Sequence, residues 1–152
     1  MPDTVWQIWK SVNGELKMGK KDIRWKQRFD NLERAYQIFW RILDIESPNE
    51  AEKMGLIQGF EIVFELSWKT IKDYLFEQGF EEKSPRGVLK QAFQNEIIID
   101  GHNWIEALEN RNETVHTYDD NMAEKIDKKI REIYAPMIRD LYFYLKREYN
   151  NE

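Results

Sequence analysis

The sequence predicts an all-α fold, an antiparallel four-helix bundle with a short accessory helix, and three observations predict it. Apolar residues recur at three- and four-residue steps through four long segments. Ser-Pro, Asn and Gly signals stand where those segments should start and stop. No segment alternates with period two strongly enough to build a sheet. The connections are short, which sets successive helices antiparallel.

The first helix is expected from about Asp22 to Asp44, with Trp25, Phe29, Leu32, Tyr36, Phe39 and Leu43 on one face. Ser47-Pro48-Asn49-Glu50 reads as the next start: Ser47 caps, Pro48 suits the first helical position and Glu50 reaches back to close a capping box. The second helix continues to Gln78, and Gly79 is its left-handed stop. Its stripe is Ile57, Phe60, Phe64, Trp68, Ile71 and Leu75, widened by Val63 and Tyr74. Gly55 and Gly59 read as a close-packing pair and not as a phosphate loop, because no strand precedes them and no Gly-Lys-Ser/Thr follows. Ser84-Pro85 opens a shorter third helix through Gln94, carrying Val88, Leu89 and Phe93. Asp100 caps a fourth helix from about Gly101 to His116 or Tyr118. Asp119-Asp120-Asn121 breaks the pattern, and Asn121 with Glu124 restarts it. The last helix holds Ile126, Ile130, Ile133, Met137, Leu141, Tyr144 and Leu145, with a bend expected at Pro136.

Residues 22–150 thus form one bundle, and residues 1–21 read as an extension of a different kind. There Asn13-Gly14 is a turn signal between Val5-Trp6-Gln7-Ile8-Trp9 and Leu16-Lys17-Met18. A two-stranded hairpin alone is marginal in water, so this arm is expected to dock on something.

A chain of 152 residues that is 41% hydrophobic and 34% charged is globular, and large enough to bury one substantial core. No apolar run approaches the roughly 20 residues of a membrane helix, and Met1 to Lys10 does not read as a secretory signal. The absence of cysteine removes disulfides, thiolate catalysis and Cys-based metal sites, and makes the cytoplasm the default location. A net charge of −5 argues against broad nucleic-acid coating. It leaves room for a local basic cleft, and Lys17, Lys20, Lys21, Arg24, Lys26 and Arg28 concentrate positive charge between Lys10 and Arg34. The simpler reading of that cluster is a solvated helix face.

The chemistry concentrates late in the fourth helix. At about 100° per residue, Trp104, Ala107, Leu108 and Val115 share one face, and Arg111 falls in its middle. A guanidinium there cannot stay dry and unpaired. Either it pairs with a carboxylate inside the bundle, or the face opens onto a second subunit or an anion. Ile105, Asn112 and His116 form the adjacent stripe, while Glu106, Glu109, Glu113 and Thr117 are expected to face solvent. Arg, amide and imidazole on neighbouring stripes suit phosphodiester cleavage without a metal. Imidazole titrates near neutrality and can move the proton of a ribose 2′-hydroxyl; the Arg fork can neutralise charge building on the phosphate. The plainer alternative is an ion-paired core Arg and a surface His. His102 is the other histidine, so a zinc site would need carboxylates at unusual spacing, and no metal or cofactor is expected.

Arg111-Asn112-Glu113-Thr114-Val115-His116-Thr117-Tyr118 resembles the Arg-x4-His-x-Tyr motif of HEPN domains. In particular it is similar to the small HEPN proteins encoded beside a minimal nucleotidyltransferase (MNT), also called nucleotidyltransferase substrate-binding proteins. The resemblance runs over about Ile23 to Tyr149 and includes Arg24-Trp25-Lys26-Gln27-Arg28-Phe29 and Phe60-Glu61-Ile62-Val63-Phe64-Glu65-Leu66-Ser67-Trp68-Lys69. Ser84-Pro85-Arg86 and Tyr134-Ala135-Pro136 also fit. It implies a homodimer that brings two motifs together, and one of two roles. In the first, the chain is a toxin, a metal-independent endoribonuclease acting on RNA and silenced when the MNT partner adds AMP to the motif tyrosine. In the second, it is a non-catalytic subunit that presents substrate to a nucleotidyltransferase. Residue by residue, the resemblance makes Arg111 and His116 catalytic, Asn112 a supporting polar residue and Tyr118 the modification site.

Overall fold

Local signals start and stop the helices, and one interruption in the last of them sets which residues face the core. The computed structural model describes residues 20–111 and 120–151, with side chains from Arg24 in the first stretch and from Asn121 in the second. Among these residues every element is helical: α1 (Lys20–Leu43), α2 (Glu50–Glu77), α3 (Pro85–Gln94), α4 (Gly101–Arg111) and α5 (Asp120–Lys129). From α5 the chain passes through a π-helical turn (Ile130–Tyr134) into α6 (Ala135–Asn150). None of these helices is long and apolar enough to cross a membrane. The arm expected over residues 1–21 lies outside the described residues, apart from the first two residues of α1, as does any continuation of α4 past Arg111.

In α1, Trp25, Phe29, Leu32, Tyr36 and Phe39 are buried as expected, and Leu43 is half-buried. Phe39 packs where α2 has Gly59; a Cβ there would meet its ring at 3.3 Å. At Gly55 the nearest atom, on Ile42, would lie at 3.9 Å, an ordinary contact, so the close packing belongs to Gly59.

The start of α2 corrects the expected cap. Asn49, not Ser47, caps the helix: its Oδ1 accepts from the Glu52 amide at 2.8 Å, and Glu52 Oε1 accepts from the Asn49 amide at 2.9 Å. Both Ser47 and Asn49 have a Glu three residues on. Ser47, however, lies in the left-handed region with φ of 49° as the chain leaves α1, whereas a capping residue needs the extended geometry that Asn49 has. Gly79 ends α2 as expected, with φ of 95°; its amide reaches Phe76 and that of Phe80 reaches Leu75.

Ser84 caps α3 by accepting from the Gly87 amide, with Pro85 in the first helical position. Val88, Leu89 and Ala92 are buried there, but Phe93 is 51% exposed. Its ring lies against Gly101 at the start of α4, where a Cβ would approach it to 3.0 Å, so Phe93 covers a helix start and not the core.

Pro136 brings a π-helical turn where a bend was expected. Proline lacks the amide for the helical ladder and crowds the carbonyl four residues back. Immediately before it, the Ala135 amide reaches Ile130, five residues back, widening the helix by one residue. That extra residue rotates the remainder of the helix. Tyr134, Ile138 and Tyr142 join Ile130, Met137, Leu141 and Leu145 in the buried set, while Ile133 and Tyr144 are only partly buried.

Candidate functional site at the end of α4

Trp104, Ala107 and Leu108 anchor α4 in the core, at 1%, 0% and 8% exposure. The next turn brings Arg111 to the edge of that face, where its side chain retains 22% exposure. The charge is met from within the chain. Arg111 Nη1 donates to Glu65 Oε2 on α2, and its guanidinium lies 5.9 Å from the centre of the Phe64 ring. Glu65 is shared with Lys69, one turn on, at 3.6 Å. Of the two alternatives for this Arg, the structure shows the carboxylate partner.

A second network ties the same turn to the π-helical segment. Tyr134, 1% exposed, stacks on Phe60 with ring centres 5.2 Å apart. Its hydroxyl donates to Glu106 Oε1 at 2.9 Å and accepts from Asn110 Nδ2 at 2.6 Å. Lys129, at the end of α5, donates to the same Glu106 oxygen. Glu106 was expected to face solvent; instead it is half-buried against two donors, because α5 and the π turn pack on that side of α4. The hydrogen bonds from Lys129 and Tyr134 hold its carboxyl below the usual carboxylate range. Burial, and then the Glu106 acceptor, push the Tyr134 phenol well above its ordinary value. Glu109 does face outward and pairs with Arg86 of α3 at 3.0 Å.

Of the residues expected to act, Arg111 is placed here; Asn112, His116 and Tyr118 lie outside the described residues. Sequence reasoning missed Glu65, Asn110, Tyr134 and Lys129 as its surroundings. A carboxylate inside the bundle was one of two partners open to Arg111, and which carboxylate depends on which helix packs beside α4.

Of the basic cluster, the described side chains Arg24, Lys26 and Arg28 have structural partners. Arg28 donates to the buried Asp73 at 2.9 Å, Arg24 lies 5.5 Å over the Phe76 ring and Lys26 lies 5.3 Å over Tyr149. His102 is exposed. Among the described residues no group of three or more His, Asp or Glu side chains is placed to hold a metal ion.

Residues 27–147 match the sequence family described as nucleotidyltransferase substrate binding protein like. Among solved structures, the crystal structure of a Thermus thermophilus protein superposes with a TM-score of 0.68 at 30% identity, over 76% of this chain and 97% of that one. Comparison with curated proteins gives no significant match.

Proposed function

The chain belongs to the nucleotidyltransferase substrate binding protein like family, and from that premise we propose that it is an HEPN toxin, a cytoplasmic metal-independent endoribonuclease. A partner minimal nucleotidyltransferase silences it by attaching AMP to Tyr118. The observation that carries this reading is Arg111, a guanidinium held at the rim of the core face and still open to solvent, five residues before His116. A wholly structural ion pair has no need of the imidazole and phenol that come after it in the motif.

In this mechanism the phosphate of RNA displaces Glu65 from Arg111, and Lys69 remains beside the released carboxylate. The fork of Arg111 then neutralises the charge that builds on the phosphate oxygens, a contribution on the order of a few kcal/mol. His116 takes the ribose 2′-hydroxyl proton as that oxygen attacks phosphorus and the bond to the 5′-oxygen breaks, and the leaving 5′-oxygen takes its proton from water. Asn112 adds a polar contact. AMP on Tyr118 would place negative charge and bulk beside the pair and repel RNA. The homodimer rests on the resemblance alone, because Glu65 already supplies the charge that Arg111 requires.

The family description favours a second reading, a non-catalytic subunit that presents substrate to a nucleotidyltransferase. Product chemistry separates the two. The purified, unmodified chain should cut RNA in the presence of chelator and leave 2′,3′-cyclic phosphate ends. Intact mass after co-expression with a minimal nucleotidyltransferase should rise by AMP, and Tyr118→Phe should prevent it. Uncut RNA would reject the toxin reading in favour of the presenting subunit; AMP that persists on Tyr118→Phe would reject the modification site.

A further inference from the structure

We infer that Tyr134 is a positioning residue for Arg111, acting through Asn110 from the π-helical turn. The inference rests on the proposed role of Arg111 in binding phosphate, but its physical content is separate: the hydroxyl of Tyr134 sets where the guanidinium sits.

A π-helical insertion costs regular hydrogen bonding, and such insertions are frequent at functional sites. Here it brings Tyr134 to the core side where Ile133 was expected, with its ring flat against Phe60 and its hydroxyl at the last turn of α4. A phenylalanine would fill the same apolar space. The hydroxyl instead takes part in two bonds, accepting from Asn110 and donating to Glu106, which Lys129 also holds. Asn110 is the residue before Arg111. The last turn of α4 is therefore gripped on two sides, Asn110 by the π turn and Arg111 by Glu65 and the Phe64 ring on α2. Releasing Asn110 removes one of these two grips, and the long side chain of Arg111 carries any resulting shift of the turn outward.

The chain holds its own control. Tyr142 on α6 donates to Glu33 Oε2 of α1 at 2.6 Å, and Lys146 donates to the same oxygen at 2.8 Å. This is the same phenol, carboxylate and ammonium, built in an ordinary α-helix. Fastening helices therefore requires no π turn, and the feature peculiar to Tyr134 is its bond to Asn110.

The test is the 15N–1H resonance of the Arg111 side-chain Nε, assigned by its loss in Arg111→Lys, in the full chain. Tyr134→Phe should broaden or shift it, Asn110→Ala should do the same, and Tyr142→Phe should leave it where it is. On RNA, Tyr134→Phe should lower kcat by about tenfold to a hundredfold with KM little changed, the scale of loss that a displacement near 1 Å brings. A resonance unmoved in both Tyr134→Phe and Asn110→Ala, or moved equally by Tyr142→Phe, would overturn the inference. Asn110 is only half-buried, so Asn110→Ala keeps the test decisive should Tyr134→Phe fold poorly. If the wild type leaves RNA uncut while the resonance responds as expected, the ribonuclease reading falls and the positioning role stands.

Discussion

Two parts of this bundle are built from the same three side chains and differ in what lies next to them. At one, Tyr142, Glu33 and Lys146 join α6 to α1 inside a cage of rings: Tyr142 stacks on Tyr36 at 4.1 Å and on Phe29 at 5.6 Å. At the other, Tyr134, Glu106 and Lys129 join the π turn and α5 to α4, and a fourth group, Asn110, leads directly to Arg111. The first cluster touches only structure. The second borders the one stretch where the sequence gathers Arg, amide, imidazole and phenol. A satisfied polar cluster in a core is therefore not by itself a sign of function; its attachments decide.

The largest effects should come from removing the rings. Tyr134→Ala deletes a ring that is 1% exposed and stacked on Phe60, and should cost about 3–5 kcal/mol in urea unfolding. Tyr142→Ala should cost less, since Tyr142 lies closer to the surface at 9% exposure. The reverse order would mean that Tyr142 is the better packed of the two. Removing only the hydroxyls is milder. Tyr142→Phe should cost about 1 kcal/mol, because Lys146 still holds Glu33. Tyr134→Phe should cost more, up to about 3 kcal/mol, because it leaves the Asn110 amide short of its acceptor.

The smallest effect is the pH dependence of stability. Glu106 is held below its ordinary value of 4.5, so its contribution is present above that value and is lost as pH falls through the lower folded one. Glu106→Gln should therefore flatten the acid limb of a stability curve below about pH 4.5. The Tyr134 and Tyr142 phenols lie above their ordinary 10.0, so their contributions are present below that value and fade as pH climbs past it. Phenolate absorbance should lag until the chain unfolds in alkali. Ready titration of every tyrosine in the folded chain would contradict the burial of both.

Much of the fold was legible because periodicity and local stop signals write it directly. The face of α1, Gly79 and Ser84-Pro85 read correctly, as does the face of α2 from Phe60 on; nearer its start Leu56 is buried and Ile57 only partly so. What failed were competitions between equal local signals and effects of tertiary packing. Ser47 and Asn49 were both eligible caps, and the path out of α1 chose between them. Proline at 136 marks an interruption but does not say that it takes the form of an added residue, which is why Ile133 was expected where Tyr134 lies. Of the site, the place of Arg111 on an apolar face and its need for a partner were legible from the helix wheel. Glu65 and Asn110 were not, because their roles depend on which helices meet at the end of α4.

Whether this end of α4 acts on phosphate is decided by the rate of RNA cleavage in chelator by three proteins. Relative to the wild type, His116→Ala should be slower by on the order of 10²–10⁴ if it moves the proton. Arg111→Lys, which keeps the charge but loses the fork, should also be strongly impaired, since lysine cannot grip phosphate oxygens in the same bidentate way. Both variants should retain the helicity of the wild type. Wild-type protein that leaves RNA intact, or His116→Ala and Arg111→Lys cutting at the wild-type rate, would refute a phosphate-acting role for Arg111 and His116.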